Sequence, residues 1–294
     1  MPHRILLLVL LLTVAFTSIS AKANATEQWL TDRRTSTEEL LSVVESSDNE
    51  SEVLRARLIL ADRAINQSTA RFAEHLAAAE ELVVPGSDAY SLATALRCQL
   101  DHRQGKPSAA QSCGLLAEQD SQTEDSFLNA YRQVTLAFYF YREGQHARSL
   151  EEAEKALILA EAVEDHGLIA AANNIIGLHF ATRLRPRMSV THFEIALEHA
   201  RQMVAPEFRY LVQLNLASSY TYLGRAEDSL ELLLEARATP IINLYPTRRL
   251  VAASMIAQAS VAAGHTDGTE AELQDTIRSV SDLVLPDGMT FGHT

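Results

Sequence analysis

A spacing of forty residues recurs along this chain, and a period of that length constrains the fold more than any single motif does. Gly144, Gly224 and Gly264, in YFYREGQHARSLEEAEKAL, SYTYLGRAEDSLELLLEA and ASVAAGHTDGTEAELQDT, stand eighty and forty residues apart, and Leu184 of FATRLRPRMSVTHFEIAL takes the matching place between the first two. Eight residues before each turn stand Leu136, Ile176, Leu216 and Ile256, each followed by a small residue: Ala137, Gly177, Ala217 and Ala257. Four before the turn come Phe140, Phe180, Tyr220 and Ser260; five after it come Ser149, Ser189, Ser229 and Thr269; twelve after it come Ala156, Ala196, Ala236 and Thr276. Large apolar residues beside small ones, at helical spacing on both sides of a turn, predict two antiparallel helices packed closely through the small positions. Pro206 and Pro246, also forty apart, fall where a first helix would begin, a place that tolerates proline.

This pattern resembles the tetratricopeptide repeat family, in particular its longer forty-residue variety, with LNLASSYTYLGRAEDSLELLLEA and AANNIIGLHF as the nearest matches. Ser or Thr stands where the family's second helix usually carries Ala. The strongest units span residues 126–285; RCQLDHRQGKPSAAQSCGLLAE fits as a unit shifted by one residue, and LRARLILADRAINQSTARFAEHLAAAEEL as a looser one. The resemblance implies an all-α fold, a right-handed α-solenoid of about six helix-turn-helix repeats over residues 51–285. A capping segment precedes it at 26–50, with a short helix from Ser36 to Glu45. Asp88, Thr123 and Asp267 are candidate helix caps.

At the start, MPHRILLLVLLLTVAFTSISAKANA combines Arg4, an apolar run from Ile5 to Phe16 and small-x-small sites at Ala21–Ala23 and Ala23–Ala25. Residues 1–25 therefore read as an export signal, and the run is shorter than the ~20 residues that span a bilayer. The mature protein is expected in a periplasm, or secreted, with no membrane insertion after cleavage. In a eukaryotic secretory route Asn49 and Asn66 would stand in glycan acceptor triplets. The formal charge of -13 falls to about -15 once Arg4 and Lys22 leave, which argues against nucleic acid and anionic membrane as partners. Cys98 and Cys113, seven residues before Gly105 and eight after it, would sit level across a helix hairpin. A structural disulfide is the expected reading in an oxidising compartment; two free thiols or a redox pair are the alternatives.

No phosphate loop, dinucleotide fingerprint, H-E-x-x-H, G-x-S-x-G or C-x-x-C stretch occurs in the chain, so no enzymatic activity, cofactor or metal is expected. His192 and His199 are seven apart on one helix, too far along it to share a metal well.

One surface feature stands out. Tyr131, Val134, Phe138 and Tyr141 form a second apolar stripe on the helix that carries Leu136 and Phe140, and such a stripe needs a partner. In tetratricopeptide arrays the matching face of the first helix lines a peptide-binding groove. Carried over residue by residue, the stripe continues as Ala171, Asn174, Leu178 and Ala181, then Leu211, Leu214, Ser218 and Thr221, with Arg142 and Tyr222 one place further on. Asn215 resembles the asparagine with which family members hold a peptide backbone. The same stripe could instead pack between repeats. No paired lysines or arginines flank Asn174 and Asn215 to clamp a terminal carboxylate.

The expected function is an exported scaffold that binds a protein or peptide in its groove. The alternative is the periplasmic sensory region of a receptor of the diguanylate cyclase or histidine kinase type, without its output module. Pro286 keeps the forty-residue phase, yet DGMTFGHT after it disfavours another helix, which leaves 286–294 as a tail. The polar outer side of the last helix, with Glu272, Gln274, Asp275 and Arg278, suits a true end of the array.

Overall fold

The computed structural model describes residues 28–118, 125–203, 206–239, 246–265, 267 and 269–281. The export signal, the candidate cap Thr123 and the tail from Pro286 lie outside the described residues. Among those described there is no strand. Among the described residues a helical stretch over 28–34 is followed by α1 (Thr37–Ser46), and then by six helix pairs. These are α2 (Glu50–Ala64) with α3 (Thr69–Glu80), α4 (Asp88–Arg103) with α5 (Ala109–Glu118), and α6 (Ser126–Arg142) with α7 (His146–Ala162). After them come α8 (His166–Thr182) with α9 (Pro186–Ala200), α10 (Pro206–Tyr222) with α11 (Ala226–Arg237), and α12 (Pro246–Ala262) with α13 (Thr269–Ser281). The all-α repeat fold expected from the period is the fold observed.

The period is written into the turns. At four of the six hairpin turns the residue after a glycine donates its backbone N–H to the carbonyl five residues earlier: Lys106 to Asp101, Gln145 to Phe140, Arg225 to Tyr220 and His265 to Ser260, at 2.8–3.0 Å. This closure requires a left-handed residue just past the helix, and Gly105, Gly144, Gly224 and Gly264 supply it with φ of 63–82°. Leu184 makes the same turn at φ 54°, with Arg185 bonding Phe180 at 2.9 Å. A side chain there is strained, because its Cβ crowds the following carbonyl.

The serines that recur five residues after the turn are held by hydrogen bonds, two of them within their own hairpins. Ser149 Oγ donates to the Ala137 carbonyl and Ser229 Oγ to the Ala217 carbonyl, both at 2.8 Å. Each acceptor is the small residue on the facing helix, so the position selects for a short hydroxyl that reaches a close backbone. Ser189 differs: it donates to the Pro186 carbonyl at 2.9 Å and lies 2.9 Å from Ser219 Oγ. The reason for tight approach is visible at Gly177, where an added Cβ would stand 2.6 Å from the Phe193 ring.

Local capping agrees with the helix starts, with one correction. Ser36 and Glu39 form a reciprocal capping box at α1, and the N-cap of α4 is Ser87 rather than the expected Asp88, which lies in the first turn. Serine in extended backbone accepts from Tyr90 N, while the acid one place later meets the positive end of the helix. Cys98 and Cys113 are disulfide-bonded across the α4–α5 hairpin, their Cα atoms 4.7 Å apart.

The described residues divide into two compact units, with the boundary between Ile176 and Gly177 inside α8; unit 1 also includes Gln202 and Met203. Unit 1 has a continuous core that includes Trp29, Phe72, Leu76, Leu96, Leu116 and Phe127. Unit 2 has its own, around Phe193, Tyr210, Leu216 and Leu233.

Candidate partner-binding face

In unit 1 the predicted stripe on α6 is divided in two. Tyr131 is 5% exposed and Val134 half-buried, whereas Phe138 is 39% exposed, Tyr141 half-buried and Arg142 exposed. Helical periodicity puts all of them on one side, and the N-terminal half of that side is covered by neighbouring parts of unit 1: Asp62 of α2 and Gln99 of α4 bond Tyr131, and the segment 28–34 lies on Phe127. Trp29 stacks on Phe127, one turn before Tyr131, at a ring separation of 6.4 Å, and the Arg33 guanidinium lies 5.4 Å from the same ring.

Arg33 is the centre of a charged network that draws on successive first helices. Its Nη1 meets Asp62 Oδ2 of α2 at 2.5 Å, and its Nε meets Asp165 Oδ2, just ahead of α8, at 3.1 Å. Tyr131 on α6 donates to Asp62 Oδ1 at 2.6 Å, and Gln99 on α4 donates to Tyr131 Oη at 3.3 Å and to Thr135 Oγ1 at 2.9 Å. Asp165 Oδ1 also accepts from Leu168 N at 2.8 Å, so one carboxylate both caps α8 and pairs with Arg33. Burial opposes the Arg33 charge, but the carboxylates of Asp165 and Asp62 outweigh it and raise the guanidinium's pKa. Burial and the neighbouring Asp62 push the Tyr131 phenol well above its ordinary range, so it stays a donor.

The backbone of the same segment is held as well. Arg63 of α2 donates from Nη2 to the carbonyls of Arg33 and Thr35, at 3.0 and 2.5 Å, and Arg55 pairs with Asp32 at 2.8 Å. Arg33, Asp62, Arg63 and Asp165 were not found by sequence reasoning. Their partners lie 28 to 132 residues away in the chain, and no periodic signal marks them.

The remaining predicted residues fall as follows. Asn174 is buried in unit 1, on α8. In unit 2, Leu178 and Leu211 pack partly buried against the core, Asn215 and Ser218 are half-buried, and Tyr222 is 76% exposed at the end of α10. Thr221 turns to its own hairpin, with its hydroxyl 2.9 Å from Ser229 Oγ. Tyr141 packs edge-on to His146 at 5.5 Å, and burial raises its phenol pKa against the opposing charge of Arg142. His192 stacks on Phe180 at 5.5 Å. Unit 2 also holds a cavity of about 470 Å³ between α9 and α11, with Leu197, Leu216 and Leu232 inside and carboxylates such as Glu194, Asp228 and Glu231 around it. Among the described residues no group of three or more His, Cys, Asp or Glu is placed to hold a metal ion, and no helix is long and apolar enough to cross a membrane.

No protein-family model and no curated protein matches the chain. Solved structures do match its fold. The crystal structure of BtubC (BKLC) from P. vanneervenii aligns with a TM-score of 0.56 at 18% identity, over 82% of this chain and 97% of its own. The crystal structure of Rap protein complexed with Competence and Sporulation Factor aligns with a TM-score of 0.63 at 17% identity, over 90% of this chain and 77% of its own. At these identities the likeness is one of architecture, and the architecture shared is the array of helix hairpins described above.

Proposed function

We propose that this protein is an exported, non-catalytic scaffold whose first-helix face binds a segment of a partner protein. One observation carries the reading. In unit 1 that face already holds a short helical segment of its own chain, 28–34, through an aromatic stack, three ion pairs and a side-chain bond to the segment's backbone. Beyond the covered part the same stripe stays open at Phe138. Exposed aromatic side chains beside an arginine are the residue types that dominate binding energy at protein interfaces. The Rap structure adds support, since the fold it shares with this chain there carries Competence and Sporulation Factor.

Export follows from the apolar N-terminal run, and the oxidising compartment it leads to suits the Cys98–Cys113 bond. The test is capture of a partner by the full chain, followed by comparison with Phe138→Ala/Tyr141→Ala. Binding weakened by tenfold or more supports the face on α6, and unchanged binding moves the site elsewhere.

A further inference from the structure

The segment 28–34 is held in the way a bound peptide is held, and its contacts specify a chemistry. Trp29 and Arg33 are four apart, so they share one side of a short helix. The tryptophan lies on Phe127 and the guanidinium spans Asp62 and Asp165. Each element of the receiving surface is fixed by bonds that do not involve Arg33. Tyr131 and Gln99 orient Asp62, and the α8 backbone orients Asp165. Such a surface is preorganised for a rigid planar fork that meets two carboxylates from fixed positions, whereas a lysine offers a single compact charge on a flexible stem.

The row Arg55, Asp62 and Arg63 on α2 reads the rest. Arg55 takes the acid before the arginine, and Arg63 takes two main-chain carbonyls irrespective of side chain. The segment's described residues make under two helical turns and join α1 through Thr35 and Ser36, and these anchors hold them. Buried ion pairs contribute selectivity more than net stability, because desolvation offsets most of their attraction. An incoming segment that made the same contacts and ran on over Phe138 and Tyr141 would cover stripe that the resident leaves open.

We propose that unit 1 recognises a partner-protein segment with an aromatic side chain one helical turn before an acid–arginine pair, and that residues 28–34 are its exchangeable resident occupant. This rests on the reading of the first-helix face as the binding face and names the partner's chemistry. The resident is tethered, at an effective concentration of roughly millimolar, so it competes strongly with any free segment.

The chain contains a single tryptophan, Trp29, and its emission reports whether the resident is seated. The probe is a synthetic peptide of residues 26–36 carrying Trp29→Phe, titrated into the full chain and into full-chain Arg33→Lys, which keeps the charge but loses the fork. Peptide should shift Trp29 emission to the red in Arg33→Lys at a concentration roughly tenfold or more below that needed for the wild type. The same peptide with Arg33→Ala should be at least roughly tenfold weaker. Circular dichroism checks that Arg33→Lys remains folded; if it does not, Asp32→Asn, which loosens the resident at Arg55, takes its place with the same expectation. Trp29 emission that stays blue up to millimolar peptide, in both wild type and variant, would show that 28–34 is a fixed part of unit 1 and overturn the proposal. If that result accompanies loss of partner capture in Phe138→Ala/Tyr141→Ala, the binding face stands and only the exchange fails.

Discussion

Arg33 and Asp165, separated by 132 residues of chain, meet at 3.1 Å, and Asp165 caps α8 with its other oxygen. One carboxylate thus fastens the N-terminal segment to the fourth helix pair. Removing Arg33 leaves Asp62 and Asp165 facing each other's surroundings without their common cation. Arg33→Ala should lower unfolding stability by about 3 kcal/mol, the usual cost of breaking a largely buried pair from one side. A double-mutant cycle with Asp165→Asn, read by urea denaturation, should show a coupling of about 1–3 kcal/mol. Additive effects would mean that the pair contributes nothing beyond its separate parts.

Leu184 and Gly177 invite opposite substitutions on neighbouring turns. Leu184 holds a left-handed backbone that its periodic equivalents fill with glycine, and it is exposed. Leu184→Gly should therefore stabilise, by about 0.5–1 kcal/mol after the extra freedom of glycine in the unfolded chain is counted. Gly177→Ala would improve helix propensity by up to ~1 kcal/mol, yet its Cβ would meet the buried Phe193 ring. Overpacking of that kind costs about 1–3 kcal/mol, so a net loss is expected. Thermal melts of the two variants should move in opposite directions.

Ser149 and Ser229 bond the facing helix at Ala137 and Ala217. Ser149→Ala should cost about 1 kcal/mol, the net worth of one buried hydrogen bond, and Ser149→Val should cost more because the branched side chain meets the close backbone. Equal stability of Ser149→Ala and the parent in chemical denaturation would mean that the hydroxyl merely fills space.

Two histidines set a pH dependence. Burial and the nearby Arg57, whose Nη1 lies 3.2 Å from the ring Nδ1, lower the pKa of His75. Burial and the charge of Arg142 lower that of His102, which packs edge-on to Tyr139. Both rings stay neutral when folded at a pH where the unfolded chain binds their protons. The unfolded state then holds more protons, so stability is full above the ordinary histidine value of 6.5 and is lost as pH falls below it. His75→Gln/His102→Gln should flatten the stability profile between about pH 6.5 and 5 relative to the parent, and an identical slope would assign the acid loss to other groups.

Much of this fold could be read from spacing because its determinants are local and repeated. The glycines announce the left-handed turns, the large–small pairs announce the hairpins, and Cys98 and Cys113 fall level because both are counted from Gly105. Even Leu184 was placed by phase against its own conformational preference. The candidate face was legible only in part. Periodicity assigned Tyr131 and Phe138 to one stripe, but it could not show that Trp29 and Arg33 come back onto Phe127, one turn before Tyr131, while Phe138 stays open. That outcome depends on contacts such as Arg33–Asp62 and Arg33–Asp165, which join unlike residues once each. A single sequence carries no repeated trace of a pairing made once.

The most direct test of the binding face is photo-cross-linking from a benzoylphenylalanine placed at Phe138, with Ile158 on α7, 69% exposed, as the matched control. A defined partner protein should be captured from position 138 and not from 158, and the yield should fall when Tyr141→Ala is added. Equal capture from both positions, or capture from 158 alone, would contradict the assignment of the first-helix face as the site.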